Sequence, residues 1–237
     1  MLDTSTREEM REAVRRLTRS VATSDYLRRL DQERLYPYEL YETWVKAGVI
    51  ALPFPEQYGG LGGGVLDLVT VAEELAQPSA DAAMAFGGSV FCALNLVRKG
   101  SEAQRAHWLP RLIAGDIRMS ISMSEPDAGS DVGAIRTRAV RQGDHYVLNG
   151  QKLWATAAGS RNNVLNIYAR THPTAHHREA LSLFLVDNET PGLKLRKLDM
   201  LGRRSEPDNG RFVSAVTSQF EGLDTRLDEI SRAIAAA

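Results

Sequence analysis

The spacing of hydrophobic residues divides the chain into a helical first part and a second part made of short strands. Up to about residue 117, apolar residues recur every three or four positions, as on one face of a helix. After Arg118 the period falls to two, most clearly over residues 134–141, as in a strand with one buried face. The pattern therefore predicts an α+β protein in which an all-α domain is followed by an antiparallel, barrel-like β domain.

Cap-forming residues mark the starts of several predicted helices. Ser5 followed by Glu8, and Ser101 followed by Gln104, have the spacing of a capping box, in which each side chain bonds the other residue's backbone N–H. Pro37 suits the first turn of another helix, because a proline there loses no helical hydrogen bond. We therefore expect helices to begin near these three positions.

A glycine-rich segment interrupts the helical part at residues 58–64. Its five glycines, at positions 59, 60, 62, 63 and 64, favour a turn over a helix or a strand. The segment lacks the strand–turn–helix context and the lysine of a phosphate-binding loop. It is therefore interpreted as a structural turn.

Turn signals separate the strands of the second part. Residues 142–144 are predicted to turn between a strand at 134–141 and one at 145–148. The pair Asn149-Gly150 predicts a second hairpin, because both positions of a type I′ turn require a positive φ. Further strands are predicted at residues 152–156, 164–169 and 181–186.

These patterns divide the chain into three segments. Residues 1–117 are predicted as the helical domain, residues 118–216 as the β domain, and residues 217–237 as a divergent tail. The tail is predicted to form a short amphipathic helix. Its apolar positions are Leu223, Leu227, Ile230 and Ile234.

Charge and cysteine content exclude several classes of function. The chain has 29 Lys and Arg against 30 Asp and Glu in 237 residues, whereas nucleic acids and anionic membranes select basic surfaces. Cys92 is the single cysteine, so an internal disulfide and a cysteine zinc site are excluded, and its apolar neighbours predict a buried thiol. The histidines His172, His176 and His177 cluster without a cysteine or carboxylate at ligand spacing, which favours an exposed loop over a metal site.

The apolar segments favour a soluble, cytoplasmic protein. The first ten residues are acidic and polar, unlike a signal peptide. No apolar run is expected to reach the roughly 18–20 residues of a membrane helix. Residues 80–97, apolar on nearly every side, are instead typical of a buried central helix.

Two segments of the second part carry candidate binding chemistry. Residues 119–131 are predicted as a strand that leaves into a sharply bent loop, whose small side chains leave backbone N–H groups open to a ligand. A polar surface loop explains this composition equally well. Trp154 and Thr156, two positions apart on one strand face, are suited to stack on and hydrogen-bond a flat heterocycle. A tryptophan on a strand is, however, more often part of the core.

Six motifs make the sequence resemble the acyl-CoA dehydrogenase family. They occur in the family's order and at its spacing over residues 5–204, so that together they are far more specific than any one of them. The motifs are PEQYGGLG from Pro55, WLPRLIAG from Trp108, SEPDAGSD from Ser124, LNGQK from Leu148, WAT from Trp154 and DNETPGLKLRKL from Asp187.

The resemblance implies an FAD-dependent enzyme that dehydrogenates the α,β-carbons of an acyl-CoA thioester. It implies an N-terminal helical domain, a middle β domain and a C-terminal helical bundle. Ser130 is implied to meet both the flavin and the acyl-CoA substrate. The cofactor-binding residues implied by the resemblance are Ile121, Ser122, Met123, Ser124, Gly129, Ser130, Trp154, Ala155 and Thr156.

The resemblance also implies roles for four of these residues. Met123 and Ser124 would contact the pyrimidine edge of the flavin through backbone groups, and Ser124 also through its hydroxyl. Trp154 would lie against the flavin ring and Thr156 would approach N5. Hydrogen bonds to the pyrimidine edge favour the anionic reduced flavin and so tune it as a hydride acceptor.

The family's general base, in most subfamilies a glutamate, lies on the C-terminal bundle, and no Glu or Asp here falls in a matching motif. No catalytic residue is therefore assigned, and the chain is expected to be truncated, inactive by itself and prone to self-association. The implied partners are an acyl-CoA substrate and an electron-transfer flavoprotein. The alternative is a non-catalytic remnant or partner subunit that keeps the β domain for assembly or weak ligand binding.

Overall fold

The computed structural model describes residues 3–172, 177–198, 210–213 and 216–218. These residues form two compact units, a helical unit that includes residues 3–119 and a β unit that begins at Ser120. A short connector, residues 160–162, belongs to the helical unit. The predicted tail helix, with Leu223 to Ile234, lies outside the described residues.

The helical unit contains more helix than the sequence pattern predicted. Its α-helices are α1 Thr4–Val21, α2 Ser24–Glu33, α3 Tyr38–Lys46, α4 Val65–Ala76, α5 Ala80–Lys99 and α6 Glu102–Ile113. Helix α2 was not predicted. It begins at Thr23, whose hydroxyl accepts a hydrogen bond from the Tyr26 N–H at 3.2 Å.

Helices begin near all three predicted positions, but the capping residue predicted at Ser5 is wrong. At α6, the Gln104 N–H donates to Ser101 Oγ at 3.2 Å and the Ser101 N–H donates to Gln104 Oε1 at 2.8 Å, which completes the predicted capping box. Pro37 directly precedes α3, as predicted. Helix α1 instead starts before Ser5, because Asp3 supplies the cap and accepts from the Thr6 N–H at 2.8 Å.

The glycine-rich turn folds back onto the chain that precedes it. The Gly62 N–H bonds the Phe54 carbonyl at 2.9 Å and the Gly63 N–H bonds the Leu52 carbonyl at 2.7 Å. A Cβ on Gly60 would lie 2.0 Å from the Phe54 carbonyl oxygen, so any side chain there would clash. Close backbone packing therefore accounts for glycine at this turn without a ligand.

Helix α5 is long and apolar enough to cross a membrane, which corrects the expectation that no such run exists. Half of its most apolar window is buried inside the protein, and α5 packs against both α4 and α6. The core of the helical unit thus accounts for part of its apolar surface, while Phe91 on the same helix is exposed. Cys92 lies on this helix and is buried as predicted, and burial raises the pKa of its thiol to about 12.

Ion pairs join α1 to α4 along one side of the helical unit. Arg7 Nε lies 2.9 Å from Asp67 Oδ1, and the Asp67 carboxylate is fully buried. Arg15 Nε lies 2.8 Å from Glu74 Oε2, and Arg11 Nη1 lies 3.2 Å from Glu74 Oε1. Two acidic side chains of α4 are therefore buried only together with arginines of α1.

The β unit is built from short strands around a small core. The described strands are β1 Arg118–Ser122, β2 Arg138–Gln142, β3 His145–Asn149, β4 Gln151–Ala155, β5 Asn163–Arg170, β6 Leu181–Asp187, β7 Gly210–Val213 and β8 Val216–Ser218. A one-turn helix, α7 His177–Ala180, precedes β6. The alternation predicted from residue 134 is confirmed, because Ile135, Thr137 and Ala139 are buried while Val140 is exposed.

The larger sheet is mixed, which corrects the prediction of an antiparallel domain. Its strand order is β1-β5-β2-β3-β8, with β6 also paired to β5. β2 pairs with β3 and β5 with β6 in antiparallel fashion, whereas β2 pairs with β5 in parallel at Arg138 and Arg170. The fold class, a helical domain followed by a barrel-like β domain, is confirmed with this change.

The predicted hairpin at Asn149-Gly150 is wrong. In the described ladders β3 pairs with β2 and β8, while β4 pairs with β7 in a separate sheet. A Cβ on Gly150 would lie 2.3 Å from Thr137 Oγ1, so the glycine serves a close approach between segments. The other predicted turn, at residues 142–144, is confirmed, because Gln142 pairs with His145 across Gly143 and Asp144.

Candidate functional site

The loop after β1 begins with a tight turn. The Glu125 N–H donates to the Ala128 carbonyl at 2.7 Å, and the Ala128 N–H donates back to the Glu125 carbonyl at 3.3 Å. Pro126 and Asp127 occupy the exposed middle of this turn. The bend predicted from the sequence is therefore present and is closed by its own backbone.

A buried ion pair lies under this turn. Lys152 Nζ donates to Glu125 Oε1 at 2.7 Å and to the Met123 carbonyl at 2.9 Å. The Glu125 carboxylate also accepts from the backbone N–H groups of Arg136, at 2.7 Å, and Thr137, at 2.9 Å. The Lys152 side chain is fully buried and that of Glu125 is nearly so.

The surroundings of this pair shift the pKa values of both Glu125 and Lys152. Burial acts to raise the pKa of Glu125, but the hydrogen bonds from Lys152, Thr137 and Arg136 outweigh it, and the pKa of Glu125 lies below its usual value. Burial lowers the pKa of Lys152, and the carboxylate of Glu125 opposes that change. Each charge is thus compensated mainly by the other.

Ser124 joins the loop to β4. The Leu153 N–H donates to the Ser124 carbonyl at 2.8 Å, so the backbone next to Trp154 lies directly against the loop. Within the described part of the chain, the Ser124 N–H has no acceptor. Ser124 as a whole is half-buried.

Trp154 has an unusual backbone for its residue type. Its φ is +61°, in the left-handed region that non-glycine residues seldom adopt, and 54% of the residue is exposed. The pairing of β4 with β7 shifts register between Lys152 and Ala155, as at a β-bulge. Strained residues of this kind cluster at ligand sites.

This geometry corrects the expectation that Trp154 and Thr156 share one strand face. The strand ends at Ala155, and the Thr156 N–H bonds the Trp154 carbonyl at 3.0 Å in a tight turn. Two asparagines hold the following segment: Asn163 Nδ2 donates to the Ala157 carbonyl and Asn188 Nδ2 to the Ala158 carbonyl, each at 3.0 Å. Trp154 is therefore exposed by a supported bulge, whereas strand alternation would not produce this position.

The other residues implied as cofactor contacts fall into three groups by exposure. Ile121, Gly129 and Ser130 are exposed, while Met123 and Thr156 are half-buried. Ser122 and Ala155 are buried at 2% exposure each. The Ser122 hydroxyl has no hydrogen-bond partner among the described residues. The structure brings Ser124 and the backbone beside Trp154 into direct contact, and it gives no such contact for Ser130.

Sequence reasoning missed the roles of Glu125 and Lys152. A lysine inside a predicted strand was the one available signal, because Lys152 lies two residues from a tryptophan in a segment expected to be half-buried. Its partner cannot be found by spacing, since 27 positions separate the two residues. Among the described residues no group of three His, Cys, Asp or Glu side chains could hold a metal ion. His176 lies outside them.

Models of two consecutive domains of one family match the chain. Residues 4–116 match the N-terminal domain of acyl-CoA dehydrogenase, and residues 120–214 match the middle domain. The mitochondrial isovaleryl-CoA dehydrogenase of Pongo abelii is 40% identical over 169 residues, which cover 70% of this chain and 40% of that protein. The mitochondrial 2-methylacyl-CoA dehydrogenase of Solanum tuberosum is 36% identical over 204 residues, which cover 84% of this chain and 48% of that protein.

A solved structure agrees in fold over nearly the whole chain. A glutaryl-coenzyme A dehydrogenase in complex with glutaryl-CoA superposes with a TM-score of 0.87 at 30% identity, covering 99% of this chain and 60% of that one. The chain thus spans less than half of the two curated relatives and about three-fifths of this solved structure. Since both domain models match in chain order, this chain belongs to the acyl-CoA dehydrogenase family and carries its N-terminal and middle domains.

Proposed function

We propose that this chain supplies the flavin-binding β domain and the N-terminal domain of an FAD-dependent acyl-CoA dehydrogenase. The observation that carries the proposal is the exposed Trp154, held at positive φ directly beside the loop of Ser124. Members of this family are FAD-dependent flavoproteins. An exposed aromatic ring next to a free backbone donor is the chemistry that a planar, carbonyl-bearing heterocycle requires.

The residues at this site fit FAD. The Ser124 N–H lacks an acceptor among the described residues, and a flavin carbonyl would provide one. The Ser124 hydroxyl is a second donor, and Trp154 offers its indole face. When bound, FAD would supply the hydride acceptor for dehydrogenation at the acyl β-carbon. The protein's part is to orient the ring and to fix hydrogen-bond donors at its polar edge.

We propose an acyl-CoA thioester as the substrate and an electron-transfer flavoprotein as the electron acceptor. Ser130, exposed beyond the turn at residues 125–128, is the proposed contact between the flavin site and the acyl-CoA. The relatives named above carry the names of isovaleryl-CoA and 2-methylacyl-CoA dehydrogenases. Short branched acyl-CoAs therefore belong among the substrates to be tested.

We further propose that the 237-residue chain does not turn over acyl-CoA when it is alone. Dehydrogenation requires a base at the acyl α-carbon, and a positioned general base contributes ~10²–10⁴-fold to the rate. The family's base belongs to its C-terminal helical domain, and neither matched domain model includes that domain. FAD binding to the chain by itself should be weak for the same reason, because part of the flavin's contacts come from that domain.

The test is acyl-CoA-dependent reduction of an artificial electron acceptor, run with FAD and with short, branched, medium and long acyl-CoAs. We expect no turnover by the chain alone and measurable turnover when a family C-terminal helical domain is added as a separate polypeptide. Turnover by the chain alone would show that one of its own carboxylates is the base. Absence of turnover in every combination, with no FAD binding, would favour the alternative of a non-catalytic partner subunit.

A further inference from the structure

We propose that Lys152 is a positioning residue for the flavin site, because its ammonium orients the peptide that carries the Ser124 N–H, a donor with no acceptor among the described residues. The proposal rests on the function proposed above. It assigns to the buried Lys152–Glu125 pair a role in aiming a hydrogen bond, in addition to any contribution to stability.

Lys152 acts on the peptide between Met123 and Ser124. This is a trans peptide, so the Met123 carbonyl and the Ser124 N–H lie in one plane and point in opposite directions. Lys152 Nζ holds that carbonyl at 2.9 Å. Fixing the carbonyl toward the buried ammonium therefore fixes the Ser124 N–H on the opposite side, away from Lys152.

The peptide between Ser124 and Glu125 is held by hydrogen bonds as well. The Ser124 carbonyl accepts from the Leu153 N–H at 2.8 Å, and the Glu125 N–H donates to the Ala128 carbonyl at 2.7 Å. Of the four polar groups in the two peptides that flank the Ser124 Cα, three are thus bonded within the protein. The fourth, the Ser124 N–H, has no acceptor in the described part of the chain and is the one left for a ligand.

Glu125 holds Lys152 in the place from which it reaches this peptide. Its carboxylate is anchored by the backbone N–H groups of Arg136 and Thr137 and then accepts from Lys152 Nζ. An apolar side chain in place of Lys152 would leave the Met123 carbonyl without this donor. A pair that acted only on stability would not need this second hydrogen bond to the loop backbone.

The experiment follows the Ser124 amide by ¹H–¹⁵N correlation spectroscopy in the full chain, with and without FAD. The test variant is Lys152→Met, and Glu125→Gln/Lys152→Met is a second variant in which no charge is left buried alone. The matched control is Asp67→Asn, because Asp67 is also fully buried, pairs with Arg7 and accepts a backbone N–H, that of Gly64 at 2.8 Å.

In the wild-type chain we expect one Ser124 resonance that moves on addition of FAD. In Lys152→Met we expect it to shift and broaden before FAD is added, and the FAD concentration at half-maximal change to rise about tenfold or more. The double variant should show the same changes, so it decides the matter if the single variant does not fold. Asp67→Asn should lower thermal stability and leave both the Ser124 resonance and the FAD titration unchanged.

A wild-type-like Ser124 resonance and FAD titration in a folded Lys152 variant would overturn the proposal. Equal changes in Asp67→Asn would also overturn it, since they would reflect general destabilisation. A wild-type chain whose Ser124 amide does not respond to FAD, either alone or with a family C-terminal helical domain added, would refute the proposed function. In that case the flavin-free spectra still show separately whether Lys152 orients the peptide.

Discussion

The φ of +61° at Trp154 places a bulky side chain where the backbone disfavours it. A left-handed conformation costs a residue with a Cβ roughly 1–2 kcal/mol. The indole offsets little of that cost by burial, because more than half of the residue is exposed. Stability alone therefore does not explain tryptophan at this position, whereas the proposed role in binding a flavin would.

Substitutions at Trp154 separate the free-energy cost of its positive φ from the contribution of its indole ring to FAD binding. We expect Trp154→Gly to be more stable than Trp154→Ala by about 1 kcal/mol, because glycine adopts positive φ without the Cβ penalty. Both variants should bind FAD more weakly than the wild type, since both lack the indole. Urea unfolding gives the first difference and FAD titration the second. Equal stability of the two variants would show that the positive φ is not costly in this bulge.

For single residues, the sequence indicated candidate binding residues but not how they are arranged in space. Ser124 and Trp154 could be selected because their motifs resemble those of a family. The bulge that exposes Trp154, and the ion pair that fixes the loop, depend on contacts between residues far apart in the chain. Local pattern carries no information on such contacts.

At the scale of elements, α1 and α4 are held together partly by charge. Glu74 has a side chain that is 3% exposed, and hydrogen bonds from Arg15 and Arg11 lower the pKa of Glu74 against the opposing effect of burial. A carboxylate whose pKa is lower in the folded state stabilises the fold above its unfolded pKa. That stabilisation is lost as the pH falls through the folded-state pKa.

Glu74→Gln should therefore destabilise the helical unit in a pH-dependent way. We expect the loss of free energy of unfolding to be largest near pH 7 and to disappear as the pH falls below the usual value of 4.5 for this carboxyl. Thermal unfolding from pH 7 to pH 3 measures it, and Glu33→Gln, at the end of α2, is the control. A pH-independent difference would mean that the side chain acts through packing.

Helices and strands could be predicted where the sequence signal is local, but the pairing of the strands could not. The capping box at Ser101 and the alternation after residue 134 act within a few residues, and both were found. The pair Asn149-Gly150 suggested a hairpin, yet the glycine is required by Thr137, which approaches it from another segment. A turn signal shows where the chain bends and does not show which strands pair.

At the scale of the whole molecule, the helical unit exposes several large apolar side chains close together in sequence. They lie just before and within the first turns of α4, and they are Leu61, Val65, Leu66 and Val69, exposed by between 48% and 69%. Exposed apolar patches of this kind mark interaction sites or aggregation liabilities.

We expect the chain to self-associate in a concentration-dependent way, and Leu66→Ser to weaken that association. Removing apolar area from the patch lowers the gain on association by roughly 25 cal/mol per Å². The control is Val140→Ser, because Val140 is similarly exposed on β2 in the other unit. Sedimentation equilibrium decides the matter. A monomer at all concentrations, or an equal effect of both substitutions, would contradict this expectation.

The central claim, that Trp154 contacts FAD, can be tested directly by ¹⁹F NMR of the chain labelled with 5-fluorotryptophan. The chain has three tryptophans, and Trp44 is fully buried while Trp108 lies on α6, so two of the three signals serve as internal controls. We expect FAD to shift or broaden one resonance, the one missing from Trp154→Phe, and to leave the other two unchanged. A Trp154 resonance that does not respond to FAD, either in the chain alone or with a family C-terminal helical domain added, or a response confined to Trp44 or Trp108, would contradict the assignment of the flavin site.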